Sequence, residues 1–238
     1  MDKVNQLADW LRQSTKIVVL TGAGMSTESG VPDFRSKSGW WRNIDPSTVA
    51  NIQALEHDYD LFHAFYCARF EALQGCEPHE GHHILADWEK RGIIARVATQ
   101  NVDGFHKAAG NTYVDELHGS IHAVRCHKCG HEANAQAFFD QETCTVCWGK
   151  LRPGIVLFGE MLPEDAWKSA LHAIKAADLV IVIGTSLQVY PVNQLPSMTR
   201  GKLVYINREV HGFERDFDLL FEGSAKETLQ QIDAALKG

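Results

Sequence analysis

Residues 16–35 read "KIVVLTGAGMSTESGVPDFR". Ile17, Val18, Val19 and Leu20 form a continuous apolar run, where a half-exposed strand would alternate with polar residues. Such a run predicts a strand covered on both faces, the habit of parallel sheets. It empties into Gly22 and Gly24 and then a helical segment. Glycines there would let the backbone approach a phosphate, and a helix start would offer N–H donors. The spacing is not a clean G-x-G-x-x-G, so the loop alone fits a plain tight turn equally well.

Outward from this stretch the same alternation continues. Further short apolar runs are "IIARVAT" (93–99), "GIVLF" (154–158), "DLVIVIG" (178–184), "KLVYIN" (202–207) and "DLLFEG" (218–223). Amphipathic helical patterns separate several of them, notably 164–178 and 224–238, and Val4, Leu7, Ala8 and Leu11 mark a first helix. Strands alternating with helices predict an α/β protein, a Rossmann-like doubly wound parallel sheet. Two segments interrupt the pattern. One is helical and contains "DLFHAFYCARFEAL"; the other carries four cysteines. The expected division is a Rossmann-like domain of residues 1–37, 78–122 and 152–238. Beside it stands a smaller domain of 38–77 and 123–151, a helical insertion with a zinc ribbon.

The cysteines set that expectation. Cys126, Cys129, Cys144 and Cys147 follow C-x2-C-x14-C-x2-C, the spacing of a four-thiolate zinc ribbon. Four thiolates complete a tetrahedron and leave no open position for water, so one structural Zn2+ is expected. His127 and His131 are possible substitute ligands, but four cysteines already fill the shell. Cys67 and Cys76 read as ordinary thiols of a helix and its exit.

Bulk properties exclude several classes. The chain has 238 residues, 45% hydrophobic and 22% charged, with a net charge of −7. That balance speaks against direct nucleic-acid binding, which wants a basic face. No apolar run reaches the roughly 18 residues a membrane helix needs, and the N-terminus lacks a signal-peptide pattern. A cytoplasmic protein with no membrane partner is expected.

Three further strand-end loops, "TQNVDGFH" (99–106), "GTSLQV" (184–189) and "INREV" (206–210), fall where doubly wound sheets bind ligands. Gln100, Asn101 and Asp103 could orient a ribose or an amide, or form an Asx-type turn. Asn207 could reach ribose hydroxyls or serve a turn. With 12 histidines, His118 in "ELHGS" does not stand out on physical grounds alone.

Taken in order, "TGAGMSTESGVPDFR", "TQNVD", "LHGS", the paired cysteine knuckles, "VLFGE" and "GTS" resemble the sirtuin family of NAD-dependent protein lysine deacylases, in its bacterial form. The resemblance runs from about residue 14 to 236. It implies NAD as co-substrate between two domains. Gly22, Ala23, Gly24, Ser26, Asp33, Phe34 and Arg35 would surround its phosphates and nicotinamide ribose. Gln100, Asn101 and Asp103 would hold that ribose and the amide, and Gly184, Thr185, Ser186, Asn207 and Ala225 the adenosine side. An acyl-lysine protein or peptide would add a strand along Val156, Phe158, Gly159 and Glu160, opposite the loop 186–192.

The implied chemistry joins the acyl oxygen to C1′ of the ribose as nicotinamide departs. His118 then acts as general base on a ribose hydroxyl, assisted by Asn101 and Asp103. That hydroxyl attacks the imidate carbon, and breakdown by water gives free lysine, nicotinamide and O-acyl-ADP-ribose. Tyr66 and Arg69, three apart on one helix face, match a Tyr-x-x-Arg of family members that remove succinyl and malonyl groups, and Ala50 matches a small residue of their pocket. Asp33 departs from that subgroup, several members of which carry threonine there, and keeps deacetylation in view. Two other readings use the same residues: a mono-ADP-ribosyltransferase with the same NAD cleft, and a non-enzymatic NAD- or ADP-ribose-sensing zinc-ribbon protein.

Overall fold

The structure is a computed structural model that describes residues 2–32, 44–210, 212 and 216–238. The chain begins with α1 (Lys3–Gln13) and β1 (Ile17–Thr21). Three helices follow the glycine loop, α2 (Pro46–Val49), α3 (Ile52–His57) and α4 (Tyr59–Leu73). Next come α5 (Glu80–Lys90), β2 (Arg96–Thr99), α6 (Phe105–Ala109) and β3 (Val114–Glu116). The middle of the chain holds β4 (Gly119–Cys126), β5 (Glu132–Ala133), α7 (Ala135–Phe139) and β6 (Leu151–Ile155). It closes with α8 (Glu164–Lys175), β7 (Leu179–Ile183), β8 (Lys202–Asn207), β9 (Leu219–Glu222) and α9 (Ala225–Lys237).

Six strands form one parallel sheet in the order β3-β2-β1-β7-β8-β9. The central strands β1 and β7 are buried at every position, as their unbroken apolar runs require. Alternate residues of those strands feed two separate cores. Ile17, Val19, Ile181 and Ile183 meet Leu7, Leu11, Leu85, Trp88, Leu229 and Ile232 of α1, α5 and α9. Val18, Leu20, Val180 and Val182 meet Ala170 and Ile174 of α8 on the other face. Burying one such aliphatic side chain contributes roughly 1.5–3 kcal/mol, so both faces hold the sheet. Strand order reverses between β1 and β7, which sets the loops after them side by side.

A second, three-stranded antiparallel sheet has the order β5-β4-β6. Its core joins Ile121, Val124, Leu151 and Ile155 to Val49, Leu55, Phe62, Phe65, Tyr66 and Phe70 of α2–α4. The run "GIVLF", read as one more strand of the alternation, belongs here: β6 covers 151–155 and pairs with β4. Pro153 explains this, because a residue without an N–H suits an edge strand and not the middle of a parallel ladder. Among the described residues no helix is long and apolar enough to cross a membrane.

Candidate active site

Gly22 and Gly24 also have a packing role that the sequence does not suggest. A Cβ on Gly22 would stand 2.6 Å from Thr185 Cβ, and one on Gly24 2.8 Å from Gly184 Cα. Gly184 has φ +63°, and a Cβ there would meet the Met25 nitrogen at 2.2 Å. The glycine loop after β1 is thus packed directly onto the loop after β7, and the Gly24 N–H donates to the Gly184 carbonyl at 2.7 Å. Ala23 lies in the single 3-10 turn that follows. Gln100 ties in the third loop, its amide donating to Thr185 Oγ1 at 2.9 Å.

Below this junction is a buried polar layer. The Ser26 hydroxyl donates to Asp103 Oδ2 at 2.7 Å and accepts from the Asn101 amide at 3.0 Å. Asp103 Oδ1 accepts the Phe105 N–H. Burial raises the Asp103 carboxyl above its ordinary value, against the pull of those two hydrogen bonds. Beneath Ser26 lie His82 and His106, with ring centroids 5.0 Å apart. His82 Nε2 is 3.5 Å from the Ser26 hydroxyl, and His106 Nε2 is 2.9 Å from Thr21 Oγ1, which itself donates to Thr99 Oγ1. Burial lowers the two imidazoles to about 2 and about 3, so both are neutral.

His118 sits between β3 and β4, where the chain passes from the large sheet to the small one. Gly119 beside it has φ +74°, and a Cβ there would come 2.2 Å from the Gly154 carbonyl oxygen, so only glycine makes this turn. The His118 ring meets the Gln100 carbonyl oxygen through Nδ1 at 3.0 Å. That carbonyl can only accept, so Nδ1 carries the proton and Nε2 keeps its lone pair. Burial lowers the imidazole's pKa, partly offset by the Gln100 hydrogen bond. The result is a half-buried neutral base of fixed tautomer.

The segment 156–160 runs beside it. The Val156 N–H donates to the His118 carbonyl and the Phe158 N–H to the Ala50 carbonyl, both at 2.9 Å. Gly159 has φ +95°, and the Phe158 ring is exposed. Glu160 folds back: Arg152, fully buried, donates to both of its oxygens at 2.5 and 2.9 Å and to the Ile155 carbonyl. Across the helical layer the Tyr66 hydroxyl is buried and has no hydrogen-bond partner among the described residues. Burial raises its pKa, opposed by the nearby charges of Arg69 and Arg152. Ala50 is buried at the end of α2.

On the adenosine side expected from the sequence, Ser186 Oγ is another buried polar atom without a partner among the described residues. Asn207 donates to the Tyr205 hydroxyl and the Glu209 carbonyl. Ala225 opens α9, whose Ser224 cap and Lys226 N–H both donate to Glu28. Burial opposes ionisation of Glu28, yet these hydrogen bonds hold its carboxyl below the ordinary value. Asp33, Phe34 and Arg35 lie outside the described residues. The clefted ends of β1, β7 and β8, with two neutral imidazoles, a fixed base and an unpaired hydroxyl, suit a sugar-bearing dinucleotide.

The four cysteine sulfurs converge within 4.8 Å of one another. Cys126 and Cys147 sulfurs are 3.4 Å apart and those of Cys129 and Cys144 3.7 Å. A tetrahedron with Zn–S of about 2.3 Å has edges of about 3.8 Å, so the set fits one zinc ion. The Lys128 and Val146 N–H groups point at Cys126 and Cys144 sulfur, as expected where thiolate charge must be stabilised.

Sequence reasoning did not find His82, His106, Arg152 or Glu28. The His82 signal was present as a histidine on the inward face of α5 beside Ile84, Leu85 and Trp88. Nothing local marked Arg152, whose partner lies across a turn.

Comparison with known proteins brings these observations together. The Sir2 family profile matches residues 22–191. A protein of Geobacillus kaustophilus named NAD-dependent protein deacetylase 1 is 51% identical over 207 residues, 85% of this chain and 86% of that one. NAD-dependent protein deacylase 2 of Pyrobaculum aerophilum is 38% identical over 97% of this chain and 95% of its own. Among solved structures, a Sir2 homolog in complex with NAD superposes with a TM-score of 0.92 at 35% identity, covering 100% of this chain and 94% of that chain.

Proposed function

The chain belongs to the Sir2 family and is an NAD-dependent protein deacylase, and within that activity we propose how its residues divide the work and which acyl groups it accepts. NAD, bound in the crevice beyond β1 and β7, supplies a ribose carbon made electrophilic by its bond to nicotinamide. Everything else falls to this chain.

Gly22, Ala23, Gly24 and Ser26, with Gly184, Thr185 and Ser186, would line the dinucleotide; Asn207 and Ala225 would close its adenosine end. Asp33, Phe34 and Arg35 are assigned to the same ligand from the family resemblance alone. Asn101 and Asp103 would orient the nicotinamide ribose, because Ser26 holds both side chains in one arrangement. His118 would take a proton from a ribose hydroxyl at Nε2: its proton is committed to Gln100, and burial keeps the ring neutral at physiological pH. Val156, Phe158, Gly159 and the Ala50 carbonyl would present a strand edge to an acyl-lysine peptide. Glu160 would act through Arg152, fixing that edge. The described contacts thus suggest a bracing role for Glu160 in place of direct substrate binding. The cysteines would hold a structural zinc, outside the reaction.

The acyl preference rests on one observation: a fully buried Tyr66 hydroxyl with no partner among the described residues, under the influence of the Arg69 charge. A buried hydroxyl left unpaired costs about 1–3 kcal/mol, and a carboxylate-tipped acyl chain would satisfy it together with the guanidinium. We therefore assign removal of succinyl and malonyl groups alongside acetyl. Lysine peptides bearing the three groups, assayed side by side for nicotinamide release, test this. Arg69→Met should lower desuccinylation at least tenfold more than deacetylation; equal losses would make Arg69 a structural residue.

A further inference from the structure

Beside the strand edge at Val156 lies an open recess of about 450 Å³ lined by Arg125, Gly154, Ile155, Val156, Glu160 and Met161, with Pro163 at its end. Its charge balance is unusual for a chain of net charge −7. Arg125 of β4 stands directly across the ladder from Arg152 of β6, and one carboxylate, Glu160, lies between them. Arg152 takes both oxygens of that carboxylate, and the Leu157 N–H takes a further share of Oε2. Arg125 Nη2 is left 4.0 Å from Glu160, beyond hydrogen-bond range. Among the described residues its guanidinium makes no hydrogen bond, and its side chain is 37% exposed. The acid next along the chain, Glu164, is paired with Lys168 on α8.

Two guanidiniums therefore share one carboxylate, and the unspent one borders a recess whose wall is the same Ile155–Val156 backbone that would pair with the substrate. A planar fork of N–H donors matches a carboxylate in two-point geometry. Along a paired strand, side chains on one face recur every second residue, about 7 Å apart, so the side chain two residues from the acyl-lysine shares its face at that spacing. We propose that Arg125 reads an aspartate or glutamate side chain of the substrate polypeptide close to the acylated lysine, so that acidic flanks define the preferred sequence context. This rests on the strand-addition reading of 156–160 given above.

The test uses the full zinc-loaded chain and acetyl-lysine peptides in which each of the flanking positions carries glutamate or glutamine in turn. Binding is measured by calorimetry at low salt, and nicotinamide release on the same peptides. Glutamate at one flanking position should bind about 3–10-fold more tightly than glutamine. That ratio should fall to about one in Arg125→Gln, survive in Arg125→Lys and invert in Arg125→Glu. Equal binding at every position, or an unchanged ratio in Arg125→Gln with the lysine variant showing the site folded, overturns the proposal. Nicotinamide release without any glutamate preference would sink the recess and leave the deacylase reading standing. Discrimination in binding without nicotinamide release would do the reverse.

Discussion

Replacing His106 by glutamine should make the protein less sensitive to acid, and the amount can be worked out. His106 and His82 are neutral in the folded chain, held to about 3 and about 2 by burial first, with repulsion from His79 added at His106 and from His106 and His79 added at His82. Geometry gives the same sign independently. Each ring places Nε2 against a hydroxyl, while neither Nδ1 has a hydrogen-bond partner among the described residues. Protonation would bury a charged N–H with nothing to receive it. Because the folded pKa lies below the ordinary 6.5, the unfolded chain binds more protons as pH falls. Stability is therefore intact above about pH 6.5 and lost progressively below it, the loss levelling off only near the folded values.

At about pH 5 a group held neutral has forfeited RT ln(1 + 10^1.5), about 2 kcal/mol, whatever the depth of the folded pKa. The pair then forfeits about 4 kcal/mol, a large part of a typical domain's 5–15 kcal/mol. Urea unfolding followed by circular dichroism, with zinc present, would be run between about pH 8 and about pH 5. The His106→Gln variant should lose about 2 kcal/mol less than the parent over that range, even if it is less stable at the alkaline end. Thiolate protonation at the zinc site is common to both proteins and cancels in the difference. Should the two stability curves run parallel, His106 either titrates in the folded state or is exposed to water, and the buried polar layer as described is wrong.

Three other outcomes follow from the site. His118→Ala should lower deacylation by about 10²–10⁴-fold, while calorimetry still detects NAD binding; turnover near the parent's would remove the base from the mechanism. Gly184→Ala, forced to φ +63° against the Met25 nitrogen, should cost about 2–4 kcal/mol in urea unfolding and weaken NAD binding; a change below about 0.5 kcal/mol would mean the two loops are not in contact. Stripping the metal with a chelator should abolish deacylation together with the dichroism of the small sheet, and added zinc should restore both. An apo protein with full turnover would show that the cysteine site is dispensable.

The parallel sheet was legible because burial on both faces leaves a mark every residue carries: an uninterrupted apolar run. The zinc site was legible for a similar reason, since its four ligands lie in two short spacings. The strand at 114–116 was not, because only Asp115 of its three residues is buried and an edge position imposes no apolar pattern. The packing role of Gly22 was not legible. Its missing Cβ makes room for Thr185, a contact 163 residues away in sequence that no local spacing encodes. The polar layer escaped for the same cause: Ser26, Asn101, Asp103, His82 and His106 come from two loops and two helices, and only folding brings them together.

The distance from metal to base decides what the cysteines can do. Cys126 ends β4 and Gly119 begins it; their partners on β6, Leu151 and Ile155, lie four residue steps apart, about 13 Å at about 3.3 Å each, because β4 is irregular between Ser120 and Val124. At that range no zinc-bound species could reach the His118 ring. Yet the strand that the metal anchors at Cys126 pairs with β6 from Leu151 to Ile155. The next residue, Val156, donates its N–H to the carbonyl of His118. One ladder thus runs from the thiolates to the residue that would accept the proton and to the edge that would receive the peptide. The metal's influence on the reaction is mechanical: it fixes the far end of the ladder, and Arg152 with Glu160 clamps the near one.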